Sequence, residues 1–198
     1  MRILVTGSSG FIGKHVVEKL KGEHEVVPYD IGRTLIRGPF DGIIHLAAVS
    51  NVRDADKDPV AALHTNIILT AMMLDRKPKW FIYAGTSEKP TNVYGLSKRA
   101  AEDYVKLKAE KYVIFRLTNV HGKGMREDKL LPRLARNETV QLHDKVLPFE
   151  HIPVSVVAEM IRLAVAKFDD PDFRSYTMKL ATGIARTHKE LLDVAASY

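Results

Sequence analysis

The stretch Gly7-Ser8-Ser9-Gly10-Phe11-Ile12-Gly13 follows directly on the apolar run Ile3-Leu4-Val5, and its reading decides the fold. A short apolar run broken by glycines reads as a buried strand, and the residues from Phe11 to about 21 carry a helix signal. The loop therefore joins a first strand to a first helix. Its glycines have separate uses: one permits the tight turn, one lets backbone approach an anion, and one lets helix pack on strand. The helix N-terminus adds attraction for negative charge. This is a place for the pyrophosphate of a dinucleotide. A second apolar run, Val26-Val27-Pro28-Tyr29, ends in Asp30, an acidic residue placed to accept bonds from adenosine ribose hydroxyls.

Working outward, strand signals at 2–6, 25–29, 43–48, 80–85 and 112–118 alternate with helix signals at 11–21, 59–74 and 94–110. That alternation predicts an α/β protein of Rossmann type, a doubly wound parallel sheet with helices on both faces. The helix from Pro59 to Leu74 opens with proline after Asp58, a good cap, and is apolar almost all round through Ile67-Ile68-Leu69 and Met72-Met73-Leu74. Such a helix needs cover on two sides. Asn66 within it either steadies the active-site end of the helix or caps local backbone. Only ten residues lie between Asp30 and Asp41, too few for a strand-helix unit, so one edge unit is expected to be missing, with Thr34-Leu35-Ile36 as a short substitute strand. Residues 1–121 then form the dinucleotide-binding core. Residues 122–198 supply the remaining sheet elements and a reduced substrate-side region: loops over 122–150 with a short helix near 130–136, a strand at 176–180, and a last helix from Thr187, its cap, to Ser197.

Composition sets limits. With 198 residues and 45% hydrophobic content, the chain fits one domain with one core. It enters a strand at once, and the most apolar late helix, Val154 to Phe168, is interrupted by Glu159 and Arg162, so a soluble, cytoplasmic protein is expected. Cysteine is absent, which excludes disulfides and thiolate catalysis. The net charge of +6 is scattered with no five-residue basic run, so nucleic acid is not expected as the main partner, and an anionic nucleotide substrate accounts for the surplus equally well. None of the eight histidines shows metal-ligand spacing, and no metal is expected. His45 falls in a buried strand as a satisfied core or cofactor-near residue, while His121 and His143 read as surface histidines.

Tyr94 and Lys98 stand one helical turn apart, which puts both side chains on one face near a helix start. Alone, this is a common surface pair. Tyrosine is a weak base with a pKa of about 10, and a neighbouring ammonium favours its phenolate.

The glycine spacing after Val5-Thr6 resembles that of the extended short-chain dehydrogenase/reductase family, the NAD-dependent nucleotide-sugar epimerases and dehydratases. Further segments are similar in the same order: Ile43-Ile44-His45-Leu46-Ala47-Ala48, Tyr94-Gly95-Leu96-Ser97-Lys98, Arg116-Leu117-Thr118-Asn119-Val120-His121-Gly122, and Ile152-Pro153-Val154 through Ala158 as the start of a later helix. The resemblance implies a cofactor site of Gly7, Ser9, Gly10, Phe11, Ile12, Gly13, Asp30, Leu46, Ala47, Ala48, Tyr94 and Lys98. It implies catalysis by Tyr94 with Lys98 and Thr86, with Ser87 as the alternative to Thr86, and Ser87 and Asn119 facing substrate. It also implies NAD as cofactor, a sugar nucleotide or related polyol as substrate, and a homodimer through helices 59–74 and 94–110. Asp30 favours NAD over NADP, because a carboxylate repels the extra phosphate; Arg33 would soften that preference if it reached the same spot.

The departures from the family pattern are specific. Seven residues separate Thr86 from Tyr94 where relatives insert a longer substrate-facing loop, the usual acidic pair reads Ser155-Val156, and longer relatives continue into a region that grips the substrate diphosphate. Thr86-Ser87-Glu88 keeps the glutamate but not the aspartate of the dehydratases, which disfavours dehydration. Two functions follow from the resemblance: an NAD-dependent epimerase or oxidoreductase working by Tyr94-assisted hydride transfer, or a non-catalytic, redox-responsive dinucleotide-binding protein on the same fold.

Overall fold

The computed structural model describes residues 1–32, 38–136, 138, 149–186 and 190. Arg33, the segment Thr34-Leu35-Ile36, His143 and, apart from Glu190, the helix expected over 187–197 lie outside them. Five of the six strands of the main sheet, all expected from sequence, come first: β1 (Arg2–Thr6), β2 (Glu25–Tyr29), β3 (Gly42–His45), β4 (Trp80–Thr86) and β5 (Tyr112–Leu117). Three more follow the short β6 (Asn119–His121): β7 (Phe149–Pro153), β8 (Tyr176–Leu180) and β9 (Ala185–Arg186). The six-stranded sheet runs β2-β1-β3-β4-β5-β8, all parallel, and a small second sheet runs β6-β7-β9.

Helices cover both faces, as alternating side chains on two-sided strands require. On one face α1 (Phe11–Leu20) and α7 (Val154–Lys167) bury Val16, Leu20, Val157 and Ile161 against Ile3, Val5, Ile44, Ile82 and Phe115. On the other, α4 (Leu69–Leu74) and α5 (Val93–Lys108) bury Leu69, Met73, Ala101 and Val105 against Leu4, Ile43, Phe81, Tyr83 and Ile114. The helix expected over 59–74 is three pieces: α3 (Pro59–Leu63), a π-helical turn (His64–Ile68) and α4. Asp58 caps it as read, accepting from the Ala61 amide at 3.0 Å. Two short helices are also present among the described residues, α2 (Val52–Lys57), for which the sequence carries no apolar periodicity, and α6 (Leu130–Ala135). No helix among the described residues is long and apolar enough to cross a membrane.

One difference, at the end of β3, and the edge position of β2 bear on the site. β3 ends at His45 rather than at residue 48, so Leu46 to Ala48 leave the sheet as a loop. At the other side of β1, β2 is the outer strand among the described residues. Glu25 donates its amide to the Met1 carbonyl at 3.0 Å, and by two-residue alternation Pro28 turns its missing donor to the open edge.

Candidate active site

From β1 the chain crosses to β2 on one side, and the next strand, β3, lies on the other side of β1. This reversal opens a crevice at the carboxyl ends of β1 and β3, where ligands bind in open α/β sheets. Gly7 stands in it with φ of +70°, and a Cβ there would lie 2.7 Å from the Ala47 amide nitrogen, so only glycine fits against that wall. Gly10 precedes α1 and offers no side-chain cap. Among the described residues no side chain accepts from the first-turn amides of Phe11, Ile12 and Gly13, which leaves an uncapped helix N-terminus for an anion. Asp30, at the end of β2, accepts from the Ser8 hydroxyl at 2.8 Å and from the Ser9 amide at 3.1 Å. The loop thus holds the acidic residue beside the expected pyrophosphate position, and these residues fit a dinucleotide. Ser8 escaped the sequence reading, because its bond spans 22 positions and has no local signature.

The catalytic candidates meet at the carboxyl end of β4. Thr86 is its last residue, and α5 begins seven positions later behind Asn92, whose side chain accepts from the Gly95 amide at 2.7 Å. A Cβ on Gly95 would sit 2.1 Å from the Lys89 carbonyl oxygen. Glycine there lets the short connection lie directly on the first turn of α5. In consequence Thr86 comes near enough to Tyr94 for its hydroxyl to act on the phenol, and Thr86 Oγ1 accepts from the Glu88 amide at 3.1 Å. Deeper in, Ser97 donates to the Tyr94 carbonyl at 2.8 Å and accepts from Asn66 at 2.8 Å. Asn66 also accepts from the Val49 amide at 2.8 Å, so it ties the loop after β3 to α5. Asn92, a cap residue just ahead of the Tyr94 helix, was legible by the ordinary N-terminus rule but went unread.

The electrostatics correct one expectation. Burial pushes the Tyr94 phenol above its ordinary range, the Thr86 hydroxyl pulls it down, and Glu88 pushes it up. Lys98 does not act on it here; its Nζ lies 4.3 Å from the centre of the Tyr83 ring. Burial lowers Lys98 to about 7, against an opposing pull from Glu102. Burial would raise the Glu102 carboxyl, but hydrogen bonds from Arg116 and Lys106 outweigh it and hold it below its usual range.

A model of the NAD dependent epimerase/dehydratase family matches residues 31–170. The chain belongs to this family. Among curated members, it is 34% identical over 140 residues to UDP-2-acetamido-2,6-beta-L-arabino-hexul-4-ose reductase of Pseudomonas aeruginosa, covering 64% of this chain and 37% of that one. It is 28% identical over 171 residues to a putative UDP-glucose 4-epimerase of Methanocaldococcus jannaschii, covering 61% and 56%. The chain thus spans between about a third and just over half of the length of these relatives. Among solved structures, MoeE5 in complex with UDP-glucose and NAD superposes with a TM-score of 0.86 at 25% identity, over 100% of this chain and 81% of that one. UDP-glucose 4-epimerase from Thermotoga maritima with UDP-glucose gives 0.83 at 23% identity, over 100% and 82%, a likeness of fold.

Within this epimerase/dehydratase fold the remaining candidates stand at the same end of the sheet. Ser87 is exposed just past β4, and its amide donates to the Leu117 carbonyl at 2.9 Å. Asn119 is exposed at the start of β6, with its amide nitrogen 3.5 Å from the Glu150 carbonyl oxygen. Leu46 and Ala47 form the wall against Gly7, and Ala48 follows them in the loop after β3. Ser155 and Val156, where the acidic pair would be, lie in the first turn of α7. His121 is half-buried rather than a plain surface residue, its ring 6.2 Å from that of buried His151.

Proposed function

We propose that the chain binds NAD in the crevice between β1 and β3 and interconverts a hydroxyl and a carbonyl on a sugar nucleotide or related polyol. The observation that carries the reading is the placement of Thr86, the last residue of β4, where its hydroxyl acts on the Tyr94 phenol in the first turn of α5, although only seven residues separate them. When bound, NAD supplies the hydride acceptor and donor. Asp30 holds the adenosine ribose and disfavours the phosphate of NADP, and the first turn of α1 holds the pyrophosphate. Thr86 holds the reacting oxygen. Tyr94, a protonated phenol at neutral pH, gives its proton to that oxygen in the reductive direction. The reverse direction needs the phenolate, which the Thr86 hydroxyl stabilises. Ser87 and Asn119 face the substrate. The named relatives act on UDP-linked sugars, which supports that substrate class.

Calorimetry with NAD and NADP on wild type and on Gly10→Val tests the cofactor site: micromolar NAD binding, lost in the variant, is expected. A screen of UDP- and GDP-sugars, read by cofactor absorbance, tests the chemistry. Tyr94→Phe is expected to lower turnover by roughly 10²–10⁴-fold with NAD affinity little changed. Wild type that binds neither dinucleotide sinks the reading. One observation favours the second reading, a non-catalytic, redox-responsive interaction protein: Lys98 Nζ rests on the Tyr83 ring rather than beside the Tyr94 phenol. NAD binding without turnover of any sugar nucleotide would select it.

The exposed apolar residues Val60, Leu63, Ile68 and Met72, with Leu96 and Leu107 of α5, support a homodimer through helices 59–74 and 94–110.

A further inference from the structure

Thr6 ends β1 and stands opposite His45, the end of β3. Its Oγ1 lies 2.7 Å from His45 Nδ1 and accepts from the amides of Leu46 and Ala47, each at 3.2 Å. A hydroxyl has one proton and two lone pairs. The Ala47 amide takes one lone pair, and the Leu46 amide is shared between Oγ1 and the Thr6 carbonyl, each at 3.2 Å; both amides can only donate, so the hydroxyl proton is left to point at Nδ1. His45 Nδ1 is therefore an acceptor, and the ring carries its own proton on Nε2. That Nε2 is buried and has no hydrogen-bond partner among the described residues. A charged imidazole would need to point an Nδ1 proton at an oxygen that already faces two amide donors. Geometry thus disfavours the charge in the same sense as burial. The surroundings agree, since Phe81 and Tyr83 of β4 flank the ring and Lys98 of α5 is the charged group that acts on it.

We propose that His45 is a positioning residue of the cofactor cleft: as the Nε2–H tautomer it takes the Thr6 hydroxyl proton, and so turns the Thr6 oxygen to hold Leu46 and Ala47 against the glycine loop. The role in the cleft rests on the NAD reading above; the tautomer does not. A Cβ on Gly7 would lie 2.7 Å from the same Ala47 amide nitrogen, so a wall released from Thr6 shifts beside the glycine loop that would hold the cofactor.

Two variants separate this role from ring packing. His45→Phe keeps the ring and loses the acceptor, whereas His45→Asn loses the ring and keeps an acceptor near the Nδ1 position. The positioning role predicts that NAD binding, by calorimetry, weakens roughly tenfold or more in His45→Phe and is substantially restored in His45→Asn. A purely structural role predicts the opposite order and would overturn the proposal. Nitrogen NMR of the wild-type ring reads the tautomer without any variant: an unprotonated Nδ1, a protonated Nε2 and no titration between pH 5 and 8 are expected. An Nδ1–H signal, or a ring that titrates in that range, overturns the assignment even if both variants fail to fold. If wild type binds no NAD while the ring shows the expected tautomer, the cofactor reading and the cleft role fall together and the Thr6–His45 bond stands as a structural clasp only.

Discussion

Lys98 and His45 put two buried bases under the candidate active site, and both act on stability in the same sense. Lys98 is 4% exposed and lowered by burial to about 7, from the 10.5 of a free lysine. Between those values the unfolded chain holds a proton that the folded chain lacks, so stability rises with pH from about 7 upward, and the burial cost is felt in full below 7. His45, lowered by burial to about 3 from 6.5, makes stability fall as pH drops from 6.5 toward 3. Tyr83 and Tyr94, both raised by burial, act in the opposite sense only above about pH 10. Urea denaturation across pH 4 to 9.5 is therefore expected to show a positive slope in both windows, with a limit of about 1.4 kcal/mol per pH unit for each group. Lys98→Met is expected to be more stable than wild type at pH 7 and to lose the alkaline slope; a wild type whose stability is flat from pH 7 to 9 would sink the assignment of a buried, depressed lysine. At this scale the sequence was most legible where chemistry is local. Gly7, Asp30, Tyr94 and Lys98 are visible from type and spacing, whereas the need for glycine at 95 arises from the Lys89 carbonyl passing 2.1 Å from its missing Cβ, which no spacing rule encodes.

The π-helical turn between α3 and α4 is an element-scale device that period counting did not find. An α-helix turns about 100° per residue, so Leu63 and Ile68, five apart, would fall on well-separated faces. The wider i→i+5 turn over His64–Ile68 brings them back toward one row with Val60 and Met72, all exposed, while Asn66 turns inward. Its inward side chain binds the Val49 amide and carbonyl and the Ser97 hydroxyl, at 2.8, 3.2 and 2.8 Å. Asn66→Ala strips partners from buried groups on two other elements and is expected to cost about 2–4 kcal/mol in chemical denaturation. A loss under about 0.5 kcal/mol would show that the triad is not a structural tie. The parallel sheet itself was legible because apolar runs and helix signals alternate. The helix α2 was not, since VRDADK has one buried residue, Ala55, and is fixed by its Asn51 cap rather than by an apolar stripe. The outer position of β2 had a readable sign in Pro28, whose missing N–H is tolerated at an edge.

For the molecule as a whole, the distribution of exposed apolar side chains sets the next test. Val60, Leu63, Ile68 and Met72 lie outside the sheet on α3, the π turn and α4, and Leu96 and Leu107 lie on neighbouring α5 eleven residues apart, close to three full turns. Scattered exposed leucines need no explanation, but a cluster on two adjacent helices does. A two-fold partner presenting the same two helices would cover it, since an isologous contact matches a patch with itself. Wild type is expected to run as a dimer in light scattering at micromolar concentration. Ile68→Glu would place two like charges near the middle of that contact and is expected to give a monomer with unchanged far-ultraviolet circular dichroism. Because Ile68 adjoins the turn that carries Asn66, and Asn66 holds Ser97 beneath Tyr94, dissociation should also loosen the catalytic end of α5. The monomeric variant is then expected to unfold at lower temperature than wild type at equal concentration, and wild type itself to gain thermal stability with concentration. A wild type that is monomeric and whose melting point is independent of concentration would remove the second copy as the cover for this face.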